Sequence, residues 1–255
     1  MTISNRKEVT RVEFKKNSER FDIWKFKELC IYEKASDLMV EESKFKGRPI
    51  NVLDIGCGNM LPLVWFWKSN RTKKSTVLKN YIGVDIDESL SPPVQSDEIN
   101  IRIINKDFAE SSQLSFDDGY FDLVICNQFI EHISKVAQVS LLSEIRRVTA
   151  MEGLLYLTTL NGGIKPMKEY HIYEPPLLEM LELLKRNWRV SNYGMTIDMR
   201  NVKKAMDKYS DLELTSIHEY RAILSKFGGN MRRIILSTLF PEFSDNVVYM
   251  CRRIK

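Results

Sequence analysis

The sequence predicts a doubly wound α/β fold, a mostly parallel sheet with helices packed on both faces. Three observations predict it. Between residues 50 and 160, short β-branched apolar runs alternate with helix-patterned segments. Those runs are apolar at nearly every position rather than at alternate ones, as strands buried on both faces must be. The first run, PINVLDIG, ends in a Gly-x-Gly turn, Gly56-Cys57-Gly58, where such a sheet leaves its ligand crevice.

The elements follow in order. Residues 1–19 are polar and read as loosely ordered. FDIWKFKELCIYEKASDLMVEE (21–42) spaces Phe21, Trp24, Leu29, Tyr32 and Leu38 for an amphipathic helix or two. After the first strand, LPLVWFWKS forms a short helix. NYIGVDID is the second strand, INIRIINKD the third and YFDLVICN the fourth. Within 134–149, LLSEIRRV is a helix presenting Leu141, Leu142, Ile145 and Val148, and GLLYLTTL (153–160) is a fifth strand. Past Asn161-Gly162-Gly163, EPPLLEMLELLKR (174–186) sets Pro175 and Pro176 at a first helical turn before a leucine stripe. Residues 190–240 read as helical, and DNVVYMCRRI (245–254) as the last strand. The organisation is an N-terminal polar segment and helix (1–48), then one domain (49–255) in which 164–244 form a helical insertion before the last strand, placed to cover an acceptor.

Composition narrows the function classes. The chain has 255 residues, 44% hydrophobic and 28% charged, and a formal net charge of +4, enough for a sizeable core and too mild to demand nucleic acid. Cys30, Cys57, Cys126 and Cys251 are scattered without a C-x-x-C pair. That pattern supports neither a zinc ribbon nor a disulfide framework, and fits a reducing cytoplasm. The charged N-terminus lacks the apolar centre of a secretory signal. The longest apolar run, around MLPLVWFW, is far short of the ~20 residues a membrane-spanning helix needs.

At the strand ends sit the residues that carry chemistry. Gly56 and Gly58 permit a sharp turn and let a ligand touch backbone. A dinucleotide fingerprint would place its third glycine at position 61, which is Leu61, so NAD is disfavoured. Asp54 lies two residues before the turn, beside an expected ammonium group. Asp85 ends the second strand, where a carboxylate can accept from both hydroxyls of a ribose, each bond worth roughly 1.5–3 kcal/mol. Asp107 ends the third, suited to an exocyclic amine, and Phe108 follows with a backbone N–H and an aromatic body. Together the three acids suit a ligand with an amine, a ribose diol and an adenine, and no phosphate.

VLDIGCGNM, YIGVDID, NKDFAE and FDLVICNQFIEHI, in that order, resemble the motifs of class I S-adenosylmethionine-dependent methyltransferases. The likeness spans about residues 50–160 and extends more weakly to 171–184. It implies a Rossmann-like seven-stranded sheet and S-adenosylmethionine as cofactor. By resemblance, Asp54, Gly56, Cys57 and Gly58 line its methionine end. Asp85 and Ile86 hold the ribose, Asp107 and Phe108 frame the adenine, and Asn127 and Gln128 border the transferred methyl. Asn59-Met60 departs from the family, which often has another small residue there. The loop SNRTKKSTVLKN also lengthens the gap between Gly58 and Asp85.

Glu131 and His132, in FIEHI, have three readings open: metal ligand, proton acceptor, or the start of a helix. Metal-assisted methyltransferases that modify RNA 3′ ends carry E-x-x-E-H here plus a later histidine. This chain reads Q-x-x-E-H, with Gln128 in place of the first acid and His171 as the later histidine. An amide oxygen replaces a carboxylate poorly at a divalent cation, so no metal is expected. His171, in KEYHIYEPPLLEM, is a candidate base for a hydroxyl acceptor or a surface residue flanking a helix. Tyr170 and Tyr173 beside it are candidates for acceptor stacking or packing. The basic stretches KSNRTKK (68–74), MRR (231–233) and RRIK read as solvated faces unless they converge.

The expected function is methyl transfer to a small-molecule or glycan acceptor, at oxygen. The alternatives are an RNA methyltransferase, marked by steep salt dependence of RNA binding, and a non-catalytic binding module, marked by a lost cofactor site.

Overall fold

The computed structural model describes residues 29–69, 73–196 and 229–254. The residues at 1–28, and those at 70–72 in the basic loop and 197–228 in the insertion, lie outside this description.

A short π-helical turn, Leu29–Glu33, leads into α1 (Lys34–Lys46). Helix α1 ends at Gly47, whose left-handed φ of 66° lets the Gly47 and Arg48 N–H groups donate to Lys44 and Ser43 carbonyls. The strands are β1 (Ile50–Ile55), β2 (Leu78–Asp85), β3 (Asn100–Asn105), β4 (Phe121–Asn127), β5 (Thr149–Leu160), β6 (Trp188–Thr196) and β7 (Asn246–Arg253). The remaining α-helices are α2 (Leu61–Lys68), α3 (Lys135–Val148), α4 (Leu177–Lys185) and α5 (Gly229–Leu239).

The sheet order is β3-β2-β1-β4-β5-β7-β6. The first five strands run parallel, and β7 inserts antiparallel between β5 and β6. The seven-stranded, doubly wound expectation therefore holds. Strand β6 falls within a stretch read from sequence as helical. Its partner β7 lies some fifty residues further on, and no local period announces such a pairing.

Alternation along β1 sorts the core into two layers. Leu53 and Ile55 pack with Leu141, Ile145 and Val148 of α3 and Met180 and Leu184 of α4. Ile50 and Val52 face Ala35, Leu38 and Met39 of α1 and Leu63 and Phe66 of α2. At the amino ends of the strands a polar ladder fixes register. Asn80 donates to Asn51 at 2.7 Å and Asn100 donates to Asn80 at 2.9 Å, across residues that pair directly in the sheet. A slip of one residue would turn these amides into the core. Buried Glu42 of α1 receives a two-pronged hydrogen bond from Arg252 of β7, which fastens α1 to the antiparallel half of the sheet.

Among the described residues no helix is long and apolar enough to cross a membrane.

Candidate active site

Parallel register brings the carboxyl ends of four strands to one edge. Ile55 pairs with Val84 and with Cys126, and Asp85 pairs with Asn105. Gly56, Asp85, Asp107 and Asn127 thus gather at the switch in strand order between β1 and β4.

The glycine turn is built by two different needs. Gly56 has φ 65°, and a Cβ there would overlap the Phe129 ring, so this glycine makes room for an aromatic of the protein itself. Gly58 has φ 46°, and a Cβ there would meet nothing within 4 Å; beyond it is open space, where a ligand can reach backbone. Met60, the departure from the family pattern, also adopts a left-handed backbone, with φ 50°. Its side chain is fully buried, and its terminal methyl lies where a Cβ on Gly83 would stand. Position 60 feeds the core beneath the turn.

Asp54 is 2% exposed, and Tyr81 Oη donates to its Oδ2 at 2.6 Å. Burial raises its pKa to about 7 and neighbouring Asp85 adds to the rise, against the opposing effect of the Tyr81 hydrogen bond. Cys57 is buried beside both acids. Burial first, then those two charges, push its thiol far above the ordinary range, so it is no nucleophile.

Asp85 clamps the turn: Oδ2 accepts from Gly58 N–H at 2.9 Å and Oδ1 from Asp87 N–H at 3.0 Å. Each carboxylate oxygen keeps a further lone pair for a ligand. The Ile86 carbonyl accepts from the Asn105 amide at 2.9 Å. Asp107 Oδ1 caps its own turn through Ala109 N–H at 2.7 Å. Phe108 is buried edge-to-face on Phe129, centroids 5.5 Å apart.

Gln128 takes a left-handed φ of 49°. Its backbone N–H donates to Thr158 and its amide reaches Thr158 Oγ1 at 3.3 Å, while that hydroxyl donates to Asn127 Oδ1 at 3.2 Å. The Asn127 Nδ2 is left buried with no hydrogen-bond partner.

The next turn carries Glu131 and His132. Glu131 is 1% exposed, and its Oε2 accepts from Thr159 Oγ1 at 2.9 Å. Its backbone carbonyl accepts from the Ile172 and Tyr173 N–H groups at 2.9 and 3.3 Å, joining the turn to the segment that bears His171. His171 is buried, and its Nδ1 lies 2.5 Å from Oε1 of buried Glu174. The His132 and His171 rings meet edge-on with centroids 4.9 Å apart, and Tyr170 packs against both. Two readings thus separate: His171 is an interior residue, and Tyr173 is engaged elsewhere, donating to Glu179 at 2.6 Å.

Sequence reasoning missed Tyr81, Phe129, Thr159 and Glu174. Only Glu174 left a local signal, an acid three residues after His171. The others reach the site by sheet register or by a turn that folds back. Of the basic stretches, Lys74 is turned onto the Phe66 and Ser69 carbonyls. Arg252 is held by Glu42, and Arg253 by the Thr149 carbonyl. These cations brace the fold.

Residues 53–157 match the model of a family described as a methyltransferase domain. No curated protein matches the chain in sequence. Among solved structures, it is similar to the Burkholderia thailandensis 1,6-didemethyltoxoflavin-N1-methyltransferase, solved with 1,6-didemethyltoxoflavin and S-adenosylhomocysteine. Identity is 15% and the TM-score 0.53, over 100% of this chain and 92% of that one. It is also similar to the PH0226 protein of Pyrococcus horikoshii OT3, at 15% identity and TM-score 0.52, over 89% of this chain and 90% of that one. At such identities the likeness carries the fold alone, and the family match adds the chemistry. The stretch 53–157, which forms most of β1 to β5 and carries the glycine turn, is thus similar to a methyltransferase domain.

Proposed function

We propose that this methyltransferase acts on a hydroxyl group of a small-molecule or glycan acceptor. The observation that carries the reading is the His171–Glu174 pair, buried beside His132 next to the strand ends that bear the cofactor residues. The methyltransferase from Burkholderia thailandensis with its small molecule bound supports the size of the acceptor; the acceptor atom rests on the chemistry of the histidines.

The residues fit the cofactor. Open space at Gly58 leaves the backbone approachable, Asn127 Nδ2 is a buried donor without a partner, and three acids line an edge with no phosphate cradle. When bound, S-adenosylmethionine supplies a methyl group on an electrophilic sulfonium. Asp54 receives the amine, with Gly56, Cys57 and Gly58 along the methionine end. Asp85 and Ile86 hold the ribose. Asp107 and Phe108 frame the adenine, and Asn127 and Gln128 border the reacting carbon. Alignment of the two partners supplies the larger part of the acceleration, up to roughly 7–11 kcal/mol in well-oriented models. At the acceptor end, Glu174 fixes the His171 ring so that Nε2 is the nitrogen left to receive a hydroxyl proton. Within the stretch 164–244 assigned to the acceptor's cover, the described segment around His171 is held to the Glu131 carbonyl through Ile172 and Tyr173.

Two measurements test the reading. Calorimetric titration with S-adenosylhomocysteine is expected to show micromolar binding. Methyl transfer is then followed across panels of hydroxyl, amine and thiol acceptors. Turnover confined to amines or thiols would overturn the oxygen assignment and leave the cofactor assignment standing.

A further inference from the structure

We propose that Glu131, His132 and His171 form a binding site for one first-row divalent cation of the borderline class, such as Zn²⁺, at the acceptor end of the active site.

The donor atoms of these three side chains lie within 4.8 Å of one another. Tetrahedral ligands at metal distances of about 2.0–2.2 Å stand ~3.4 Å apart. A cation therefore draws the group together by no more than ~1.5 Å, within reach of side-chain rotation. Two of the chain's three histidines meet here.

What surrounds the cluster is the support a metal site needs. His171 commits Nδ1 to Glu174, which leaves Nε2 for the cation. A carboxylate on the far nitrogen is the usual partner of a ligating imidazole, fixing its tautomer and raising its basicity. Glu131 commits Oε2 to Thr159, which leaves Oε1. The two ligand-bearing segments are joined by the Glu131 carbonyl bonds to Ile172 and Tyr173, and by Gln138, whose amide donates to both the Ile130 and Tyr173 carbonyls at 2.8 Å. Gly162 completes the support, because a Cβ there would overlap the Glu174 carbonyl.

The donor set selects the metal. Gln128 commits its amide nitrogen to Thr158. One carboxylate with two neutral imidazoles is poor in the hard oxygens that Mg²⁺ and Ca²⁺ require, and suits zinc or its first-row neighbours. Three protein ligands leave at least one position open. The expectation of no metal, drawn from the missing first acid, counted carboxylates and not imidazoles.

Its place in the reaction rests on the hydroxyl reading above. A cation here takes over the task of the bare imidazole. The acceptor hydroxyl binds at the open position and loses its proton to water more readily. Its oxygen–carbon bond forms as the sulfur–carbon bond breaks, and S-adenosylhomocysteine leaves.

The test uses the full chain, freed of any affinity tag and stripped with a chelator, titrated with ZnCl₂ or MgCl₂ alone, and with CoCl₂ followed by visible absorption. One equivalent of Zn²⁺ is expected to bind at micromolar or better affinity, with Mg²⁺ far weaker and Co²⁺ giving the bands of a nitrogen–oxygen site. Glu131→Gln, which retains an acceptor for Thr159, and His171→Ala are each expected to weaken Zn²⁺ at least tenfold. Glu174→Gln is expected to weaken it 10–100-fold. S-adenosylhomocysteine affinity should not move in any of them. Absence of stoichiometric Zn²⁺ binding, or equal binding by wild type and His171→Ala, would overturn the site. Loss of S-adenosylhomocysteine binding would instead strike the methyltransferase reading, so the two failures are separable.

Discussion

Tyr81 donates a 2.6 Å hydrogen bond to Asp54 beneath the glycine turn, and both residues are buried. The pair sets a carboxylate with a pKa of about 7 at the place assigned to the cofactor's amine. An ammonium group needs that carboxylate ionised, whereas burial favours it neutral.

Cofactor binding should therefore release a proton at or below neutral pH. The cofactor's α-amino group stays charged up to about pH 8, so affinity is expected to peak near pH 7–8 and to fall toward tenfold per unit in more acid solution. Calorimetry with S-adenosylhomocysteine in two buffers of different ionisation enthalpy measures the proton directly. A buffer-independent heat at pH 6.5 would place the amine elsewhere.

The same acid should cost stability. Because the folded pKa is raised above the unfolded value of 3.8, the native state holds one more proton between pH 4 and 7. Stability then falls as pH rises through that window and levels off above it. Asp54→Asn removes this loss while its carbonyl still accepts from Tyr81. The variant is expected to melt above the wild type at pH 8, by on the order of a few kcal/mol, with the gap closing toward pH 4. It should also bind the cofactor more weakly. Equal melting temperatures at pH 8 would contradict the raised pKa.

Asp85→Ala should weaken cofactor binding by at least about tenfold, the worth of one charge-assisted hydrogen bond. The effect has two parts, since Asp85 also holds Gly58 N–H. Asp85→Asn keeps an acceptor for Gly58 and isolates the ribose part. Unchanged affinity in Asp85→Ala would remove the ribose assignment.

Gly83→Ala tests the departure at Met60. A Cβ at Gly83 would stand 2.6 Å from both Cys57 Sγ and Met60 Cε, and both side chains are buried. Destabilisation of about 1–3 kcal/mol is expected from this overpacking, with partial recovery in the double variant Gly83→Ala/Met60→Ala. Chemical denaturation of the four proteins measures the coupling; additive effects would deny the contact.

The parallel half of the fold was legible because its strands are rich in β-branched and apolar residues, β3 (NIRIIN) by alternation, and four of the five end at or just before a chemically distinct residue: Gly56, Asp85, Asp107, Asn127. Strand β6 was not legible, for WRVSNYGMT pairs with a strand far ahead in sequence and carries glycine and polar residues on an edge. At the candidate site, the gathering of Asp54, Gly58 and Asp85 at one sheet edge was readable from spacing. Tyr81 beneath Asp54 was not, because register across β1 and β2 is a property of the sheet. Gly56 is the instructive case. It reads as clearance for a ligand, yet the group that occupies the cleared space is Phe129, brought back by the turn after β4.

His171→Ala should lower turnover while cofactor binding persists. The imidazole serves as proton acceptor or as cation ligand, and general-base or charge-stabilising contributions of this kind are commonly worth ~10²–10⁴ in rate. Glu174→Gln separates positioning from packing. The amide keeps the volume beside His171 but carries no negative charge to orient its ring, so kcat should fall while S-adenosylhomocysteine affinity and the melting temperature stay close to wild type. A structural role alone would lower the melting temperature and leave kcat in place. Full activity in His171→Ala would remove this histidine from the reaction and return the acceptor end to His132 and the cofactor-lining amides.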